Sequence, residues 1–470
     1  MLQRLRESLA LILITLLPLH ALLITAGTKM LLGAGHAPMP MLAIWKEGLL
    51  ALILFVVIIE LLIRVMNGKL KIENRKFDLI DWLIGALLCL SFIVSILNSQ
   101  FSILNFLLGF KYDFVPLVAF MILRRAQWSD WFRLSMILVI TAVGAILALY
   151  GIITFFLPDR FFAFLGYSDL HSLYVPGGPL AAFQHIGSSS LRRIQSTMSG
   201  PNQFGIWLLI PWSAVVVSLI RKKVNWFIGL LEMGVIGVAI MITFSRSAWI
   251  GAAVIACIAA WPLVRRKISP AVLTWSGAVA VCVVAWIVLA SPTLLIRIGS
   301  SRDHYLRPMA AIHSIITHPF GLGLGSAGPA SNRISDACVY LDAGADATWA
   351  KDRQDLCVFV DNKQVQPIGR DCTCPFLPEN WYLQVGVELG VVGLFLFLML
   401  ISLILIRLRI TNFGLRNNVD SAIRNPQSAI FLLFLGISIA ALFLHAWEDA
   451  AVAYTAWTMI AVALSGVRSP

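Results

Sequence analysis

Charge is what this chain has least of. Asp, Glu, Lys and Arg together make up 13% of its 470 residues, against 59% hydrophobic. A soluble domain carries about twice that share of charge, so a soluble globular fold is set aside. No Lys/Arg stripe with interleaved aromatics is present to make a nucleic-acid surface, in spite of a formal net charge of +12. No small-x-small cleavage site follows the basic start and apolar core of residues 1–26, which reads as a first membrane span rather than a signal peptide. The chain also has no Asp-x-Asp metal motif, no internal repeat and no low-complexity tract.

What is there instead is a series of apolar runs long enough to cross a bilayer. They fall near 8–28, 42–65, 79–97, 101–123, 131–156, 203–220, 225–244, 247–264, 271–290, 381–406, 429–446 and 449–466. The fold class is therefore an all-α polytopic membrane protein of about twelve helices. Its parts are nine spans within 1–290, a large loop domain at 291–380, and three spans within 381–470. Basic residues fall in alternate connectors: Arg4 and Arg6, Lys69 to Lys76, Arg124 and Arg125, Arg221 to Lys223, Arg265 to Lys267, Arg407 to Arg424, and Arg468. The short opposite connectors, 98–100 and 445–449, carry almost none. By the positive-inside rule both termini are cytoplasmic, and two longer segments, 157–202 and 291–380, lie outside. At some ninety residues, the second is too long for a simple connector and reads as a lid.

That segment holds Cys338, Cys357, Cys372 and Cys374, while Cys89, Cys257 and Cys282 lie within spans. In an oxidising compartment, four cysteines read as two disulfides. A bridge between Cys372 and Cys374 is strained, so each is expected to pair with Cys338 or Cys357. A four-cysteine zinc site is the rival, but the spacing of Cys338 and Cys357 lacks the usual C-x₂₋₄-C pair.

The polar groups that could carry chemistry gather at the same expected outer face. Residues 378–393 read Pro-Glu-Asn-Trp-Tyr-Leu-Gln-Val-Gly-Val-Glu-Leu-Gly-Val-Val-Gly. A helix begun at Pro378 puts Asn380, Gln384 and Glu388 on one stripe at i, i+4 and i+8, with Glu379 at its mouth. Polar residues running into an apolar helix are costly, which makes the stretch a candidate site. Two more groups are Arg192-Arg193 leading to Asn202, and Thr243-Phe244-Ser245-Arg246-Ser247 between two spans. A last group runs from Arg302 through His304 to Arg307, then to His318-Pro319-Phe320-Gly321-Leu322-Gly323-Leu324-Gly325. An arginine at a span end often only reaches to lipid headgroups, a glycine string is more often a turn than a phosphate cradle, and His171, His185, His304 and His318 read as loop histidines. Arg246, at membrane depth between two spans, needs an anionic partner. Several arginines on one membrane face suit a diphosphate, whose oxygens accept paired bonds from guanidinium.

In order and topology these residues resemble the O-antigen ligase/polymerase (Wzy-C domain) family. The resemblance rests on Arg193 with Gly200-Pro201-Asn202, Ser245-Arg246-Ser247-Ala248, His318-Pro319-Phe320-Gly321, and Asn380 with Gly390-x-x-Gly393. Weaker signatures are Trp45-Lys46-Glu47 and Gly109-Phe110-Lys111. The resemblance implies a metal-independent, cofactor-free, inverting glycosyltransferase of the bacterial inner membrane. It would move a glycan from an undecaprenyl-diphosphate carrier to an acceptor hydroxyl at the periplasmic face, of the lipid A core, another repeat unit, or protein in a related branch. Arg193 and Arg246 would hold the diphosphate, with Arg192, Asn202, Arg302 and Arg307 beside them, and Asn380, Gln384 and Glu388 would bind substrate. The ligases carry His-(Asn/Ser/Gln)-x₉-Gly-x-x-Gly with the histidine as base; here the histidine position is Glu379, which would either take its place as a base weakened by nearby arginines and the helix N-terminus, or bind sugar hydroxyls. The competing readings are a lipid-linked glycan flippase, in which the arginines bind a substrate in transit, and a non-catalytic scaffold.

Overall fold

The computed structural model describes residues 1–33, 38–67, 77–98, 102–167, 183–186, 191–221, 225–267, 298–341, 344–351, 356–361, 363–414, 426–447 and 449–465. The expected span at 271–290, His171 and the basic connectors at 69–76, 222–223 and 416–424 lie outside them. Among the described residues, seven helices are long and apolar enough to cross a membrane: Leu2–Leu32, Pro40–Met66, Leu79–Leu97, Ile103–Leu123, Asp130–Phe155, Pro201–Ile220 and Trp381–Ile410. Four shorter apolar helices accompany them, Trp226–Ile242, Arg246–Trp261, Gln427–Ala440 and Ala450–Leu464. The chain is a multi-pass membrane protein.

Pro201–Ile220 is the central helix. Nearly all its side chains from Phe204 to Val217 are buried, and it packs against Asp130–Phe155, Trp226–Ile242, the helix begun by Arg246, and Gln427–Ala440. The outer helices turn apolar side chains such as Phe55, Ile96 and Phe395 outward instead, as a lipid-facing layer does. One end of the bundle is stitched by arginines. Arg6 pairs with Glu60 and stacks on Trp128, while Arg124 meets Asp78 at 2.5 Å and Asp81 at 2.7 Å. Asp78 and Asp81 also form the capping box that starts Leu79–Leu97.

At the opposite end, the chain from 298 onward builds an unusual joint. A helix, Ile298–Thr317, packs on Trp381–Gly414, and after it the 318–325 loop crosses that long helix. There Gly390 leaves helical geometry, at φ 71 and ψ −171, a region open essentially to glycine alone. The break leaves carbonyls and an N–H that helix bonding would have used, and the loop takes them up. Leu322 N donates to Val387 O, Gly323 N to Glu388 O, and Val391 N to Pro319 O, each at 2.9 Å. The backbones lie so close that a Cβ on Gly321 would stand 2.4 Å from Glu388 O, and one on Gly390 2.2 Å from Pro319 O. The two glycine motifs of the sequence are one structural feature.

Beyond the joint the chain leaves for a small excursion and returns. Its neck is closed by Gly328 N donating to Phe376 O at 2.8 Å. Inside lie a short helix, Gly328–Ile334, and a three-stranded sheet in the order β3 (Ala337–Leu341), β4 (Leu356–Val360), β5 (Lys363–Gln366). Strands β3 and β4 run parallel, with Cys338 level with Cys357, and the sheet closes on Ala350, Leu356 and Val358. Disulfides join Cys338 to Cys374 and Cys357 to Cys372. All four sulfurs are thus taken up in bridges, which leaves no thiolates for a zinc site.

Candidate active site

The first group forms around Arg193. It lies in a two-stranded ribbon, β1 (Gln184–His185) against β2 (Arg192–Arg193), and neighbouring side chains of a strand point in opposite directions. Arg193 therefore faces the turn between Trp226–Ile242 and the helix begun by Arg246. Its Nε donates to Thr243 O at 2.9 Å, its Nη1 to Gln184 Oε1 at 3.0 Å, and its Nη2 to Asn202 Oδ1 at 2.7 Å. Phe244, at φ 52, makes the turn tight, and Ser245 N is held by Thr243 Oγ1 at 3.2 Å. Arg246 opens the next helix, half-buried, between the buried Ser245 and Ser247. Arg193 and Asn202 thus come together with the turn that leads into Arg246.

Arg192 does not join them. It turns the other way, donating to Asp159 Oδ1 at 2.5 Å and Thr154 O at 2.6 Å, with its guanidinium 4.1 Å over the Phe162 ring. Those contacts bind the ribbon to the end of Asp130–Phe155.

The second group forms around Glu379. The long helix starts at Trp381, not at Pro378, because Glu379 adopts a left-handed φ of 52 that no helix accommodates. Asn380 then caps the helix, accepting from Leu383 N at 3.0 Å, while its Nδ2 donates to Leu442 O at 2.9 Å. The expected stripe loses its first member. Glu379 Oε1 accepts from Arg307 Nη1 at 2.5 Å, and His304 Nδ1 lies 2.5 Å from Oε2. Burial pushes the Glu379 carboxyl up, but the bond from His304 and the electrostatic pull of the groups around it, Arg307 among them, outweigh it, and its pKa falls below the usual value. Arg302 is on the same helix turn as His304, with its side chain outside the described residues.

Behind Glu379 runs an interior chain. Glu379 N donates to His445 Nε2 at 3.0 Å. A backbone N–H can only donate, so Nδ1 carries the proton and donates to Gln384 Oε1 at 2.8 Å. Gln384 Nε2 continues to Asp113 Oδ1 at 3.1 Å, and Asp113 to Glu388, which accepts from Gly325 N at 2.9 Å. Gln384 and Glu388 are each 1% exposed, and their bonds tie His445 and the glycine joint together.

Burial lowers the His445 pKa from 6.5 to about 4; Glu379 opposes that and Arg307 adds to it. A depressed pKa contributes stability above the unfolded value and loses it as protons bind the unfolded chain first. Stability should therefore fall between pH 6.5 and about 4, by at most about 3.5 kcal/mol at roughly 1.4 kcal/mol per pKa unit. His445→Gln should flatten that decline in the apparent melting midpoint in detergent; a midpoint that tracks the wild type across the window would remove His445 from the account.

The two groups share one end of the bundle. Ser199, just before Asn202, donates to Asp449 Oδ2 at 3.2 Å, and Asp449 caps Ala450–Leu464 a few residues after His445. Glu47 lies in the same region, bridged by Lys46 at 3.1 Å and Lys111 at 2.9 Å, so the two weaker signatures also meet. Residues 231–398 match the family model Wzy_C, described as O-antigen ligase. Over that stretch the chain is similar to the O-antigen ligase family. The matched stretch holds Arg246, His304, Arg307, the glycine joint and Glu379, whereas Arg193, Asn202 and His445 are contributed from outside it. No curated protein matches the chain. The similarity to that family and the apolar helices support a membrane glycosyltransferase-like function.

Sequence reading passed over His304 as a loop histidine and His445 as part of a short connector. A histidine between two apolar helices, and an aspartate within Phe-Lys-Tyr-Asp-Phe, were the signals available for His445 and Asp113.

Proposed function

We propose that the chain is a metal-independent, inverting glycosyltransferase of the bacterial inner membrane. It moves a glycan from an undecaprenyl-diphosphate carrier to an acceptor hydroxyl at the periplasmic face. The observation that carries this reading is Arg193, fixed on the turn that begins the Arg246 helix at the same end of the bundle as Glu379. The acceptor oxygen attacks the anomeric carbon, the bond to the diphosphate breaks, and negative charge grows on the leaving phosphate. Arg193 and Arg246 offset that charge, with Asn202 steadying Arg193 and Arg302 as a further cation. The orientation of Arg193 is set in advance by Thr243 O and Asn202, so little reorganisation is needed at the moment of reaction. Glu379, His304 and Arg307 face the acceptor. Both termini are cytoplasmic in this reading, and the excursion after the joint covers the site.

A lipid-linked glycan flippase is the second reading, favoured by the broken helix at Gly390. Against it, the groups that break exposes bond to the 319–325 loop, and the interior carboxyl groups bond to each other and to loop amides.

The test uses the whole protein in proteoliposomes with an undecaprenyl-diphosphate-linked glycan. Transfer should persist in EDTA. A ladder growing on the carrier identifies a polymerase; a single capped lipid or protein identifies a ligase or protein transferase. Movement of donor across the bilayer with no new glycosidic bond would overturn the enzyme reading, and activity lost to EDTA and restored by Mg²⁺ would overturn its metal independence.

A further inference from the structure

Glu379 is poorly suited to be the group that takes the acceptor's proton. Both of its oxygens face nitrogen donors, the Arg307 guanidinium at Oε1 and His304 Nδ1 at Oε2. Those contacts keep the carboxylate ionised and its proton affinity low, and a base works best when its affinity matches the working pH. His304 stands in the complementary position. Its Nδ1 is turned onto Glu379, its side chain is 35% exposed, and the described residues give Nε2 no partner.

We propose that His304 is the general base and that Glu379 is the positioning residue that aims it, an inference that rests on the transferase reading above. A carboxylate on one imidazole nitrogen fixes the tautomer and leaves the lone pair on the other directed outward. Arg307 and His445 set the carboxylate in turn, Arg307 through Oε1 and His445 through the Glu379 N–H that holds its left-handed backbone. In the step itself, the acceptor hydroxyl gives its proton to His304 Nε2 as its oxygen bonds the anomeric carbon. The electron pair of the breaking bond leaves with the diphosphate, and the imidazolium, balanced by Glu379, later releases its proton to water. The chain thus carries its imidazole one side chain further out, on the helix Ile298–Thr317.

The experiment compares wild type, His304→Ala, His304→Gln and Glu379→Gln in proteoliposomes, with donor binding measured on the same preparations. Both His304 variants should keep donor binding and lose about a hundredfold or more in kcat. Added imidazole should restore part of the His304→Ala rate and none of the Glu379→Gln rate. Glu379→Gln should lower kcat with little change in acceptor KM. Transfer by His304→Gln within about threefold of wild type, with Glu379→Gln inactive, would overturn the proposal and return the proton to Glu379, leaving the transferase reading intact. Wild-type protein that transfers nothing would overturn both.

Discussion

Arg193→Ala should lower transfer from an undecaprenyl-diphosphate donor by about a thousandfold, the upper range for removing a preorganised donor from a developing anion. Arg193→Lys should recover little of it. A lysine ammonium is one point charge, whereas the guanidinium reaches Thr243 O through Nε and Gln184 and Asn202 through its two terminal nitrogens at once. The neighbouring residue is the control. Arg192 spends its donors on Asp159 and on carbonyls at the end of Asp130–Phe155. Arg192→Ala should therefore lower the yield and melting midpoint, while transfer per folded molecule stays within about threefold. Initial rates normalised to folded protein separate the two; a normalised loss at Arg192 equal to that at Arg193 would break the assignment.

Gly390→Ala should prevent the protein from accumulating in folded form. Left-handed backbone of this type costs a side chain about 1–3 kcal/mol before any contact is counted. Here the added Cβ would also stand 2.2 Å from Pro319 O, and backbone oxygen cannot rotate aside as a flexible side chain does. Gly321→Ala should behave the same way, from the other side of the joint. Gly85→Ala is the contrast, in a helix with nothing within 4 Å of the new carbon, where alanine should be neutral or stabilise by about 0.5–1 kcal/mol. Monodisperse yield from detergent extracts checks all three.

Much of the scaffold was legible because hydrophobic runs are local. Each of the seven long helices coincides with an apolar run read in the sequence. The same locality explains what was not legible. A helix start at Pro378 follows from composition, but the left-handed turn at Glu379 is bonded through its N–H to His445, which lies far along the chain. Arg192 and Arg193 are equivalent in sequence and opposed in space, because strand alternation sends one guanidinium toward Asp159 and the other toward Thr243. Similarly, Gly321 and Gly390 read as two weak motifs; that each is a glycine because of the other is a long-range fact. The stripe of Gln384 and Glu388 was correct as periodicity, and its burial came from Asp113 in a helix read only as apolar.

The joint also decides which part of the chain is free to diversify. His304 and Arg307 stand on the helix that enters the joint and Glu379 immediately before the helix that carries Gly390, with the excursion closed off between them at Gly328 and Phe376. The sheet and its two disulfides hang from a closed neck between Gly328 and Phe376, and neither strand length nor loop length there enters the distance between imidazole and carboxylate. That excursion can be exchanged or lengthened like the head of a tool whose handle is fixed. Changes confined to the excursion should therefore leave the separation of His304 and Glu379 as it is.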